Sequence, residues 1–159
     1  MSVSDGQLSE YSQTLLDACV AAIPEWITNR IQHVCLVSGG VIPEIVTTKV
    51  AGVAHATQAQ VQIDLMALLS VDVDAQRTNP LQVLRGSTLM ATALLIEAGI
   101  PPVRRDEFEV RSMPDDMFAL GPLTWRDLGD DVHDAGIEWG AWKAAMIISR
   151  RRDEGKLSS

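Results

Sequence analysis

Aromatic residues are scarce in this chain of 159: one tyrosine, two phenylalanines and four tryptophans, 4% in all, against 47% hydrophobic residues. A core with so few rings must be assembled from Ala, Val, Leu, Ile and Met, which pack most simply as helix against helix, so the composition points to an all-α fold. Basic residues are also few. The 13 Lys and Arg face 21 Asp and Glu, for a formal charge of −8. Nucleic acid is therefore excluded as an expected partner, because phosphate binding needs clustered cations. The one basic run, Arg150, Arg151 and Arg152, stands at the end of an expected helix, where positive charge suits the dipole.

No apolar run approaches the roughly 18 residues of a membrane span, and MSVSDGQLSEY at the start has neither the basic nor the apolar part of an export signal. A soluble, cytoplasmic protein without a membrane partner is the expectation. Cysteine is limited to Cys19 and Cys35. Their spacing suits no metal site and their surroundings, CVAAI and HVCLV, are apolar, so free buried thiols are expected, with a mutual disulfide as the lesser alternative. Asp72 and Asp74 lack the Gly and closing Glu of a calcium loop. The chain also lacks a Gly-rich phosphate loop, a G-x-S-x-G turn and a Cys–His pairing in sequence context, so no metal and no cofactor are expected and the chain leans away from an enzyme.

What the sequence does contain is helical periodicity. Residues 79–98 form the most apolar run, with Asn79 placed to cap, Pro80 at the first helical position, and Gly99 followed by Pro101 closing the far end. This run is expected to be one helix and the most buried. A first helix is expected from near Ser9 to just before Pro24, and a second from Pro24 to Gly39. A third runs from Pro43 and Glu44 to about Leu69, with a kink near Gly52 and a strand pair as the alternative for its Val-rich part. The last starts at Asp130 or Asp131 and runs towards Arg152, with Ile137, Ala141, Ala144, Ala145 and Ile148 on one side and Val132, Trp139, Trp142 and Met146 flanking. Between them, residues 99–129 mix prolines, charges and single large apolar residues. This reads as an ordered loop with short helical turns, anchored by Val103, Phe108, Val110, Met117, Phe118, Leu123 and Trp125. The expected architecture is a single helical domain over 1–159, a bundle of about five main helices, with a frayed tail at 153–159.

Three groups carry candidate chemistry. Asp130, Asp131, His133 and Asp134 cluster at a helix start, where acids also favour the dipole. Arg104, Arg105, Asp106, Glu107, Glu109 and Arg111 place two planar guanidiniums beside acids just after Pro101 and Pro102. That pattern can hold an anion, or the charges can pair with one another and with Asp115 and Asp116 to pin the loop. Trp139 and Trp142, three residues apart, share a helix face and can line a cleft, pack in a core or serve a dimer interface.

The strings GIPPVRRDEFEVRSMPDD, LTWRDL and IEWGAWKA resemble an uncharacterised group of small soluble proteins from actinobacteria. The resemblance implies a bacterial, cytoplasmic chain and brings no activity, cofactor or catalytic residue. Two functions follow as expectations. The first is a non-enzymatic protein acting through a helical interaction surface, as a homodimer or with a protein partner. The second is a protein or enzyme binding a small anionic metabolite between the 104–107 loop and the last helix. There Arg104 and Arg105 would grip the anion, Trp139 or Trp142 would stack, and Asp106, Glu107 or His133 would carry a proton.

Overall fold

The computed structural model describes residues 3–70, 80–122 and 124–158. Asn79, Leu123 and the acidic stretch holding Asp72 and Asp74 lie outside them. The described residues are all-α, with six α-helices, one 3-10 turn and no strand.

Helix α1, Val3–Gly39, is the axis of the molecule. It runs unbroken through Pro24 where two helices were expected, and its 37 residues extend about 55 Å. A proline inside a helix removes one N–H and leaves the carbonyl four residues back without a partner. Here that carbonyl, Val20 O, accepts from the side-chain Nε2 of Gln58, 2.9 Å away on the next helix. Burial supplies the other reason. Leu15, Cys19, Ile23, Trp26, Ile27, Ile31 and Val34 form one buried stripe whose phase does not change at Pro24.

The helix ends where Gly40, with φ of 71°, donates its N–H to Leu36 O at 2.9 Å, a left-handed cap that favours glycine. Helix α2, Glu44–Leu69, returns along α1 with Val46, Val50, Val61 and Leu65 buried against it. Pro43 is the capping residue and Glu44 the first helical one. No break occurs at Gly52, and the β-branched residues are helical because burial of one face outweighs their weak local preference.

The apolar run expected to be one helix is two, α3 (Pro80–Gly86) and α4 (Leu89–Glu97), both lying along α2. Ser87 Oγ donates to Leu84 O at 2.6 Å and Thr88 Oγ1 to Arg85 O at 3.4 Å, so hydroxyls occupy carbonyls that a continuous helix would use. The far end matches the sequence signal: Gly99, with φ of 76°, donates to Ile96 O, and Ile100 N–H reaches Leu95 O, both at 3.0 Å. Leu89 and Ile96 face solvent, but seven of the 19 residues from 80 to 98 are buried against ten of 30 from 10 to 39, so the run buries the larger share of its residues, as expected.

Helix α5, Glu107–Ser112, and the 3-10 turn Trp125–Leu128 are the short helical turns expected between 99 and 129. Phe118 and Leu120 sink into the core, but Phe108 is 70% exposed and Val110 is exposed as well, so neither is an anchor. Gly129, with φ of 129°, then accepts the His133 N–H at 3.0 Å and starts helix α6, Asp130–Ser158, which continues through the stretch expected to fray. Helix α6 packs along the N-terminal half of α1, with Trp139 beside Ser12.

Of the two sides that periodicity marks on α6, the structure buries the one that carries Val132, Trp139 and Met146. Val132, Ala135, Trp139 and Met146 are buried on the side that packs on α1, with Gly136 beside them against Trp125, and Ile137, Ala141, Ala144, Ala145 and Ile148 face solvent. The helix carries apolar stripes on opposite sides, and the side with the tryptophan, the valine and the methionine removes more surface from water than a row of alanines can. Gly136 permits the close fit there. A Cβ at this position would lie 2.7 Å from the indole of Trp125.

Candidate functional site

The densest polar construction is built over residues 99–122, where arginines from two helices and one from the loop itself hold the loop. Arg30 of α1 donates Nη2 to Ala119 O at 2.6 Å, and Arg85 of α3 donates Nε to Pro122 O at 2.9 Å. Arg105 donates Nη1 to Met113 O at 2.6 Å and Nη2 to Pro114 O at 3.4 Å. Inside the loop, Asp116 is 6% exposed, and its two oxygens accept the Leu120 and Gly121 N–H groups at 2.8 and 2.7 Å. Ala119 sits between these clamps with φ of 53°, a left-handed conformation that costs a residue with a Cβ about 1 kcal/mol or more. The Arg30 bond and the buried Phe118 and Leu120 on either side keep it there. Gly121 has a steric role, since a Cβ would lie 3.1 Å from Asp116 Oδ2 and 3.3 Å from Met113 Sδ.

Beneath the loop is a cavity of about 250 Å³, lined by Trp26, Arg30, Arg105, Glu109, Asp116 and Asp127 among others. It is smaller than the roughly 300–1,000 Å³ of typical ligand pockets. Two guanidiniums and three carboxylates line it, so it carries no excess of positive charge for an anion. The main polar contacts of Arg30, Arg105 and Asp116 go to backbone, which makes the cavity the underside of a stapled loop.

The residues singled out from the sequence do not meet around it. Arg105 lines the cavity, but Arg104 faces solvent. Asp106 caps α5, accepting the Glu109 N–H at 2.8 Å. Glu107 is exposed and pairs with Arg111 at 3.5 Å within one helical turn, a pair of little energetic weight. His133 is half-buried in the first turn of α6. Trp139 is buried with its Nε1 donating to Ser12 Oγ at 3.1 Å and Lys143 Nζ 5.1 Å from its ring centre. Trp142 packs on Tyr11, ring centres 5.7 Å apart. Both tryptophans thus serve the α1–α6 packing, and neither lines the cavity under the loop. Among the described residues no group of three or more His, Cys, Asp or Glu is placed to hold a metal, and no helix is long and apolar enough to cross a membrane.

The thiols offer no nucleophile at neutral pH. Burial pushes Cys19 up to about 12, and burial also raises Cys35, partly offset by a backbone hydrogen bond. Both cysteines are free and buried.

Sequence reading missed Arg30, Trp26 and Asp127 as residues that line the cavity with Arg105, and it offered Asp116 only as a charge that could pair with the arginines. Arg30 and Ala119 are 89 residues apart, and no local pattern joins them. The one local signal was Asp116 before Leu120 and Gly121, an acid placed to accept the N–H groups of a turn just after it.

The second candidate is the outer face of α6. Ile137 and Ile148 are 57% and 52% exposed, and the exposed Ala141, Ala144 and Ala145 lie between them. Asp134 and Glu138 at one end and Arg151 and Arg152 at the other are exposed too. No protein-family model, no curated protein and no solved structure matches this chain. The likeness to actinobacterial proteins accordingly rests on the quoted strings alone.

Proposed function

We propose that this chain is a non-enzymatic helical protein that works through a protein–protein interaction surface and self-associates through the outer face of α6. The observation that supports this reading is the apolar row Ile137, Ala141, Ala144 and Ile148, exposed on the side of α6 opposite its core contacts. A helix apolar on two opposite sides has a second surface to bury, and such rows on a water-facing helix mark contact sites. The loop over the small cavity supports the non-enzymatic half of the proposal, because its strongest polar groups are engaged in holding the backbone. A reducing bacterial cytoplasm is the compartment proposed, in keeping with two free buried thiols.

Sedimentation velocity over a micromolar concentration series tests the reading. The expected result is a reversible dimer that Ile137→Lys with Ile148→Lys converts to monomer while helicity is retained. A native chain that stays monomeric throughout, or a dimer indifferent to both substitutions, rejects it.

A further inference from the structure

The outer face of α6 also specifies how two copies meet. Resting on the proposed self-association, we infer that the partner is a second copy of this chain docked through its own α6 in antiparallel orientation, with Ile137 against Ile148 and Ala141 against Ala144 of the other copy. The spacing of the four residues is four, three, four, the alternation that keeps a seam on one side of a helix pair. It reads the same in both directions, so an antiparallel copy meets it residue for residue about a two-fold axis. The alanines stand at the centre, where small side chains let helix axes approach, and the isoleucines close the seam at either end.

Charge fixes the direction. Three residues before Ile137 is Asp134, three after Ile148 is Arg151, and both are exposed at the next positions of the same stripe. An antiparallel pair sets Asp134 of each copy against Arg151 of the other, twice by symmetry, with Glu138 and Arg152 flanking on the same side. A parallel pair sets acids on acids and arginines on arginines, which is repulsive, and it also aligns two helix dipoles head to head. One helix pair buries less than the roughly 1,600 Å² of a standard interface, so the dimer belongs in the micromolar range.

The test is charge reversal with rescue, read by sedimentation velocity. Asp134→Arg alone and Arg151→Asp alone should each weaken the dimer by about ten-fold, and the two together in one chain should restore it, since both cross-copy pairs are then inverted but intact. Disulfide trapping gives an independent readout. Ile137→Cys mixed with Ile148→Cys should oxidise to a mixed dimer, whereas either variant alone should not; Cys19 and Cys35 are buried and do not compete. Efficient trapping by Ile137→Cys alone, or a double reversal no tighter than the single ones, overturns the antiparallel register while the proposed self-association stands. Loss of any native dimer overturns both.

Discussion

Residues 99–122 and the outer face of α6 differ in composition and, in the opposite sense, in how their side chains are used. The loop is crowded with charge, and its Arg105 and Asp116, with Arg30 and Arg85 reaching in from α1 and α3, bond to main-chain groups of the same chain. The helix face is nearly bare of charge between Glu138 and Arg151, and its isoleucines and alanines meet nothing within the chain that buries them. Charge density drew attention to the first region from the sequence, yet its chemistry is spent on making the loop. A long segment with little periodicity needs such clamps, because it has no helical hydrogen-bond ladder to satisfy its backbone. An exposed apolar row is a feature that folding leaves unresolved, and this one lies on a regular helix opposite its core contacts.

The hardest break of this contrast is Asp116→Ala. It removes a buried carboxylate that accepts two backbone N–H groups and leaves Leu120 and Gly121 donors without that partner. A loss of about 3 kcal/mol in urea denaturation is expected. A loss below about 1 kcal/mol would show that the loop does not depend on its clamp.

Next in size is a pair of glycines on α6 that distinguishes its two sides. Ala normally gains about 1 kcal/mol over Gly inside a helix. At Gly140, where a Cβ meets nothing within 4 Å, Gly140→Ala should deliver most of that gain. At Gly136 the added Cβ overlaps the Trp125 indole at 2.7 Å, and overpacking outweighs propensity, so Gly136→Ala should cost about 1–2 kcal/mol and shift tryptophan fluorescence. Equal effects at both positions would deny that α6 has one tight and one open side.

How much of this was legible in advance differs by element. The all-α class followed from the aliphatic composition, and the helix ends at Gly40 and Gly99 followed from the left-handed caps that glycine favours. The break at Pro24 was read wrongly. Residues 12–23 and 26–35 carry apolar stripes in one phase, but the rescue of Val20 O by Gln58 is a contact 38 residues distant and has no local trace. The split at Ser87 and Thr88 was visible only as small polar residues, whose hydroxyls prove to compete with the helix. Periodicity found both stripes of α6 and could not rank them, because which stripe is buried depends on what α1 offers opposite. The candidate site failed for a similar reason. Arg105 was legible as a residue that pins the loop, whereas its companions Arg30 and Trp26 arrive from another helix.

The Pro24 arrangement gives a test of about 1 kcal/mol. Gln58→Leu strands Val20 O in the present chain and should cost about that amount. In a Pro24→Ala background the restored N–H can take the same carbonyl, so the cost of Gln58→Leu should largely vanish. Coupling near zero in the double-mutant cycle would mean that Gln58 is not what carries α1 through its proline.

The smallest effect expected is also the one that bears most on function. Ile137→Lys with Ile148→Lys replaces two large apolar side chains, and on a core face such a change would unfold the protein. Both positions are more than half exposed, so the isolated monomer should lose no more than about 0.5 kcal/mol. Self-association adds a second, concentration-dependent term, because a dimer formed only by the native state stabilises that state by mass action. The native chain should therefore melt at a temperature that rises with protein concentration. The lysine variant should melt at one temperature throughout, coinciding with the native chain at high dilution. A large loss in the dilute monomer would mean that this face supports the fold from within, and the contrast between the charged loop and the bare helix face would disappear.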